Sequence, residues 1–529
     1  MTTQVVTLFD VLLAAAPIAV VLVLMVGFNW GGAGSGALGW LTSLSIALLY
    51  FGASPSLIAY SQAKGALLTL SVLYIIWMAL VLFNVVQEAG AVSVIAASIA
   101  MLTKDRIHQL LILSWVFSGF LQSISGFGVP IAVIAPLLIG LGFSPVVSVS
   151  AVAIGHSWSV TFGDIGTAFN ALIAATGLSG AFLAPWTAAF LGITCFACGV
   201  GAAFSFKGVA SVKRGAPAVL ALGLIIAGTQ YLLAINSLWN VASLGGGLAG
   251  LGASAIIGRI QNRHRKTDDL LKADKVAVDR GPDPDLRALS LAEALLPYFI
   301  LIIIISGATF IPPITKILNQ VIIAIQFPAT QTARGWTTAG GTGPTISIFG
   351  HAGALLTYAS ILGYSWYKAT GRYEPGAFRR ILSNTSQSAV KSSLGIASMV
   401  GLATMMDQSG MIYSLAVGIG SSLKPLYPFL APYIGLLGAF MTGSNTNSNV
   451  LFGTLQQNTA ALLSLPASVI LAAQTTGGSI GSMLAPAKII IGCSTAGLSG
   501  QEGRVLRRTA GIGIIITALI GAIAWAVSR

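Results

Sequence analysis

Phe440-Met441-Thr442-Gly443-Ser444-Asn445-Thr446-Asn447-Ser448-Asn449 decides how this chain must be read, because oily helix surrounds it on both sides. A run of uncharged hydrogen-bonding and glycine positions cannot face lipid. Each exposed amide or carbonyl in hydrocarbon costs several kcal/mol, so irregular polar backbone at membrane depth survives only inside protein or around a wet cavity. An apolar run, Pro466 and a second polar cluster, Gln474-Thr475-Thr476-Gly477-Gly478-Ser479, follow. The stretch reads as a binding site.

The same layout occurs once earlier. Phe120-Leu121-Gln122-Ser123-Ile124-Ser125-Gly126-Phe127-Gly128 precedes an apolar arm, Gly142-Phe143-Ser144-Pro145, and then Gly155-His156-Ser157-Trp158-Ser159 with Gly163-Asp164-Ile165-Gly166. Ser125 lies 20 residues before Pro145, and Ser444 lies 22 before Pro466. The next polar breaks, at His156 and Thr476, come 11 and 10 residues after those prolines. Matched spacing in the two halves is what an internally duplicated transporter shows, with its site where interrupted helices meet. The plainer reading is that glycine and serine merely let membrane helices approach closely.

Composition fixes the class. Of 529 residues, 55% are hydrophobic and only 8% charged, against about 25% charged in soluble domains. The chain is therefore a polytopic membrane protein, with apolar stretches long enough to cross about 30 Å of hydrocarbon. Its formal charge of +13 does not indicate nucleic acid, because 20 of the 27 Lys and Arg fall in five loop groups. Such groups mark the cytoplasmic side. The first span, about 8–28, has no Lys or Arg before it and reads as an uncleaved helix with its N-terminus outside. Cys195, Cys198 and Cys493 sit among apolar residues and read as helix packing.

The expected fold is an all-α polytopic membrane protein of two inverted repeats, each with a re-entrant hairpin, and about 12 to 14 membrane segments. Residues 1–258 form the first half, with its hairpin near 107–142, and residues 291–529 the second, with its hairpin near 443–463. Between them, 259–290 is a cytoplasmic linker; Arg259 to Arg287 holds eight basic and six acidic residues. Residues 314–327 read as an interfacial helix and the glycine- and threonine-rich Arg334 to Gly350 as a loop between spans. Gly340-Gly341-Thr342-Gly343-Pro344 lacks the following Lys-Ser or Lys-Thr of a phosphate loop.

No hydrolytic triad, metal-ligand quartet or nucleotide loop is present, so the chain reads as a carrier, not an enzyme, with no cofactor and no metal. Ionisable groups inside spans are costly and mark function by default. Asp164 lies in the first polar break, Asp407 ends a long helix, and Glu88 ends a span where a boundary role competes. His156 is also in the first break; an imidazole can gain and lose a proton at working pH, so it is a candidate for orienting substrate or, with Asp164 and Asp407, for proton coupling. Lys488, just beyond Pro486, can pair with an anion's carboxylate or snorkel to the interface. His351 and Lys391 are weaker candidates. Broken helices leave amides and positive dipole ends facing the cavity, which favours an anionic substrate.

At these residues the sequence resembles the L-lactate permease family. The likeness is carried by Ser125-Gly126-Phe127-Gly128-Val129-Pro130, Gly140-Leu141-Gly142-Phe143, Phe440 to Asn449, Thr475-Thr476-Gly477-Gly478 and Ser482-Met483-Leu484-Ala485-Pro486. Ser444-Asn445-Thr446 also resembles the hairpin-tip signature of the wider ion transporter superfamily, in which paired re-entrant hairpins carry substrate in an elevator-like motion. The resemblance implies substrate contacts from Ser444, Asn445 and Thr446 at the second tip and Ser123, Ser125 and Gly126 at the first. Thr475, Thr476, Gly477 and Lys488 complete the expected substrate site. The first tip departs from the pattern by lacking Ser-Asn-Thr.

The expectation is a secondary-active transporter of small monocarboxylates in the plasma membrane, with proton-coupled uptake of lactate and glycolate. Its partners are the organic anion, the proton and the lipid bilayer, with no nucleic acid; a homodimer is left open. The alternative is a sodium-coupled carrier of another organic anion such as a dicarboxylate.

Overall fold

A computed structural model describes residues 6–28, 30–100, 102–103, 105–125, 128–264, 289–423, 425–498 and 501–529. The linker expected at 259–290 therefore falls largely outside the described residues. Helix dominates throughout. Among the described residues, nine helices are long and apolar enough to cross a membrane, or ten if the bent pair Pro145–Ser159 and Gly163–Thr176 counts as one span. Leu8–Leu22, Val129–Gly140, Met411–Gly420 and Tyr427–Thr442 are shorter apolar helices.

The frame consists of two long helices. Pro55–Glu88 starts on a Ser54 cap with proline in its first turn, and its 34 residues extend for about 50 Å at ~1.5 Å per residue. Ala377–Gln408, of 32 residues, lies along it. Gly65 lets the pair approach at Thr404. Half-buried side-chain bonds then fix their register: Trp77 Nε1 donates to Ser393 Oγ at 3.0 Å and Asn84 Nδ2 to Thr385 Oγ1 at 3.0 Å. Such bonds hold helices together where lipid supplies no hydrophobic drive.

Against this frame sit two units of the same order. In the first, Arg106–Ile124 is followed by Val129–Gly140, then by Pro145–Ser159, a break, and Gly163–Thr176. In the second, Tyr427–Thr442 turns at Gly443 into Asn445–Leu462, then Ala467–Gly481, a break, and Pro486–Thr495. Gly443 takes the left-handed conformation (φ 71°) that ends the first arm, and Ser444 caps the second. The observed hairpin thus uses Tyr427–Thr442 as its first arm. The polar cluster Gln474 to Ser479 is a continuous part of Ala467–Gly481, and the break comes later, at 482–485.

Packing explains the difference. A Cβ at Gly477 would stand 1.8 Å from the Pro432 carbonyl oxygen, and one at Gly435 would stand 1.9 Å from that of Gln474. Small residues here serve helix contact, as the plainer reading held.

A second departure is a β-hairpin where a loop and an interfacial helix were expected. Only Pro312–Leu318 is helical in that region. Ile322–Ile323 pairs with Ile346–Ser347, Gln326–Phe327 with Gly341–Thr342, and Thr330–Gln331 with Thr337–Thr338. β-Branched Ile and Thr favour extended backbone, and Gly335 (φ 88°) closes the turn. The hairpin reaches both halves of the chain. Arg334 Nη1 bonds Asp10 Oδ1 at 2.7 Å, the Ala333 amide donates to the Gly52 carbonyl at 2.8 Å, and Thr338 Oγ1 donates to the Gln408 carbonyl at 3.1 Å.

Candidate functional site

The two units meet through buried polar contacts between residues far apart in sequence. Asn445 Nδ2 donates to Thr161 Oγ1 at 3.0 Å and to the Thr475 carbonyl at 3.1 Å. Thr161 Oγ1 donates to the same carbonyl at 3.0 Å. Asn449 Nδ2 donates to the Ala168 carbonyl at 2.9 Å and to Thr475 Oγ1 at 2.8 Å. These bonds lock the second tip onto the break of the first unit. Removing one partner would strand the other in a dry interior, at about 1–3 kcal/mol each.

Beside this seam lies a small cavity of about 50 Å³. Gln122, Gly163, Asp164, Gly443, Ser444, Asn445, Thr446 and Lys488 form its polar wall; Ile76, Val160, Ala168 and Ile396 form the apolar one. Ile76 and Ile396 come from the two long frame helices. The site therefore lies where both units meet the frame.

Two helix starts and one kinked segment reach this space. Asn445–Leu462 begins on Ser444, Pro486–Thr495 carries Lys488 in its first turn, and Gly163–Thr176 contributes Gly163 and Asp164. In the last, Asp164 (φ 50°), Ile165 (φ 53°) and Gly166 (φ 73°) are left-handed. That conformation costs about 1–3 kcal/mol at a non-glycine residue and persists only where the surroundings enforce it. It turns the chain so that the carboxylate-bearing residue borders the cavity.

Lys488 is buried, 6% exposed, and its ammonium donates to Ser482 Oγ. The Lys488 and Asp164 charges act on each other. The turn after the first tip also touches this lysine: a Cβ at Gly128 would stand 3.6 Å from Lys488 Cγ. The cavity thus holds one cation, one carboxylate, several neutral polar groups and the positive ends of helices. A small anion is the ligand that this set attracts.

The other expected residues are placed as follows. Ser444, Asn445, Thr446, Lys488 and Asp164 line the cavity together. Ser123 and Ser125 stand in the first tip with hydroxyls donated back to the carbonyls of Gly119 and Leu121, at 2.8 and 2.9 Å. Gly126 lies outside the described residues, as does the side chain of Lys391. Thr475 stands behind Asn445, Thr476 is buried, and Gly477 abuts Pro432; none of the three is in the lining.

His156 is fully buried behind the cavity, with Nδ1 at 2.9 Å from the Val152 carbonyl and within electrostatic reach of Lys488. Asp407 lies elsewhere, at the end of its frame helix, where Gln408 Nε2 donates to it at 2.9 Å and Lys64 Nζ donates to Gln408 Oε1 at 2.9 Å. His351 caps Ala352–Ala369 and stacks on Tyr74, and Glu88 pairs with Arg380, as befits helix boundaries. Gln122, Ile76 and Ile396 were not among the expected site residues. Gln122 carried a signal, being the amide within the first polar cluster; the isoleucines carried none.

Comparison with known proteins gives a consistent result. A family model described as L-lactate permease matches residues 10–528. The chain is 26% identical to the glycolate permease GlcA of Escherichia coli, over 97% of this chain and 94% of that protein. It is 28% identical to an L-lactate permease of Streptococcus iniae, over 87% of this chain and 92% of that protein, and 25% identical to one of Bacillus subtilis, over 88% and 86%. Among solved structures, the YdaH transporter of Alcanivorax borkumensis superposes at a TM-score of 0.46 with 15% identity, covering 89% of this chain and 86% of that one. A match over nearly the whole length, with the apolar helices described above, means that this multi-pass membrane protein belongs to the L-lactate permease family.

Proposed function

We propose that the protein is a secondary-active carrier that takes up small monocarboxylates, lactate and glycolate foremost, together with protons. The carrying observation is the cavity that pairs Lys488, the one cation lining it among the described residues, with helix starts on one side and Ile76 and Ile396 on the other. The carboxylate binds at Lys488 and the amides of the Ser444 turn. The small apolar remainder of the substrate packs on the isoleucines. A second carboxylate would meet Asp164 and, among the described residues, no second cation in the lining, which disfavours a dicarboxylate. Its relatives include permeases named for lactate and for glycolate, and both are acids of this size.

In the coupled cycle Asp164 holds the proton. With Asp164 ionised, Lys488 is partly neutralised and attracts an anion weakly. When Asp164 is protonated, Lys488 is left with its full charge for the substrate carboxylate, so proton and anion bind in each other's favour. Such mutual reinforcement is reciprocal by thermodynamic necessity. The two hairpin units then move against the frame helices in an elevator-like step, as inverted repeats around a shared site. His156, behind Lys488, supports this exchange, whereas Asp407 contributes at the frame end.

Reconstituted protein tests the proposal. Labelled lactate uptake into proteoliposomes should rise several-fold under an inward proton gradient and collapse with a protonophore. Uptake that ignores pH and follows sodium would remove the proton from the cycle. Turnover that chemically alters lactate would remove the carrier reading itself.

A further inference from the structure

We propose that Gln122 is the residue that reads the 2-hydroxyl group, so that the cavity distinguishes a 2-hydroxy acid from the same acid lacking that oxygen. The proposal rests on the monocarboxylate reading of the cavity.

Gln122 stands in the last turn before the first tip, on Ser118–Ile124. It is 2% exposed, it lines the cavity, and its Oε1 is buried with no hydrogen-bond partner among the described residues. The residue is held closely: a Cβ at Gly163 would come within 3.0 Å of the Gln122 carbonyl oxygen and 3.4 Å of its Cγ. An orphaned buried acceptor costs about 1–3 kcal/mol, and folded proteins rarely tolerate one. Here the cost is offset if the cavity's ligand brings the donor.

Other buried amide oxygens without partners do not serve this purpose. Asn445 Oδ1 faces the helix behind it, where a Cβ at Gly478 would meet it at 1.9 Å. Asn447 and Asn449 are not in the lining. Gln122 thus combines an orphaned amide acceptor with a place in the lining of the ligand's space.

The chemistry of the ligand completes the match. An ionised carboxylate has no proton to give, and it is taken by Lys488 and the helix starts. In a small 2-hydroxy acid the remaining donor is the hydroxyl, one carbon from the carboxylate. Gln122 and Lys488 line the same small space, so one molecule can meet both. Propionate matches lactate in carbon skeleton and charge but has hydrogen where lactate has the hydroxyl, and it leaves Oε1 stranded.

Competition binding with the full-length protein in detergent, using L-lactate and propionate, tests this. In the unaltered protein lactate should bind about 10- to 100-fold more tightly than propionate. In Gln122→Met that ratio should fall to near one through loss of lactate affinity, with propionate retained. A ratio near one in the unaltered protein overturns the proposal without any variant. So does an unchanged ratio in Gln122→Met, or equal loss of both acids there. If neither acid binds the unaltered protein, the monocarboxylate reading falls first and this inference with it; if both bind equally, only the role of Gln122 falls.

Discussion

At the scale of single residues, Lys488 and Asp164 carry the site's charge, and their environments make different demands. Lys488 is buried, donates to Ser482 and lines the cavity. A charged hydrogen bond of this kind contributes about 1.5–3 kcal/mol. Lys488→Met should therefore weaken lactate binding about 10- to 100-fold by isothermal titration, and Lys488→Arg should restore part of it. Asp164→Asn should leave downhill lactate exchange in place while abolishing uphill accumulation driven by a proton gradient. Flux assays of both kinds on the same vesicles separate the two effects. Loss of exchange together with accumulation would place Asp164 in anion binding instead.

At the scale of elements, glycine positions decide whether helices can touch. Gly477 lies against the Pro432 carbonyl with no room for a methyl group, whereas a Cβ at Gly140 meets nothing within 4 Å. Overpacking costs about 1–3 kcal/mol, and more where backbone must move. Gly477→Ala should lower the melting temperature sharply, while Gly140→Ala should leave it level or raise it slightly, as differential scanning fluorimetry will read.

Helix ends outside the membrane give a pH test. Asp105 caps the helix that begins at Arg106 by accepting from the amides of Ile107 and His108, at 3.0 and 3.1 Å, and pairs with Arg214. Burial raises its pKa, but the bonds from His108 and Arg214 outweigh burial and hold the carboxyl below its ordinary 3.8. A depressed carboxylate stabilises fully above its unfolded pKa and loses that contribution as pH falls through the folded one. Asp105→Asn, which keeps a capping oxygen but removes the charge, should cost under about 1 kcal/mol at pH 5 to 8, and the gap from the unaltered protein should close below about pH 4.

These elements also show what could be read in advance. Helices at 106–124 and 129–140 occupy the stretch 107–142 where a hairpin was expected, and polar residues, glycines and Pro130 punctuate its apolar sequence clearly. The tip at Ser444 was equally legible. The helical continuity of Gln474 to Ser479 was not, because a glycine-rich polar run looks the same whether it breaks a helix or lets two helices touch. Only the partner, here Pro432 and Gly435, decides between these, and it lies 40 residues or so away in sequence. Ile76 and Ile396 were invisible as site residues for a like reason: an isoleucine in an apolar helix does not announce its neighbour.

At the scale of the whole molecule, the β-hairpin of residues 322–347 belongs to the second half, yet its tip grips Asp10 and Gly52 of the first. The two long helices, one from each half, bind through Trp77 to Ser393 and Asn84 to Thr385. The halves are thus joined by contacts that owe nothing to the covalent connection between them. Genes encoding residues 1–270 and 271–529 separately should accordingly yield fragments that co-purify and transport lactate together, while Arg334→Ala should reduce the recovered complex. Continuity of the polypeptide then serves delivery and stoichiometry, and the assembled carrier is in effect a heterodimer written as one gene.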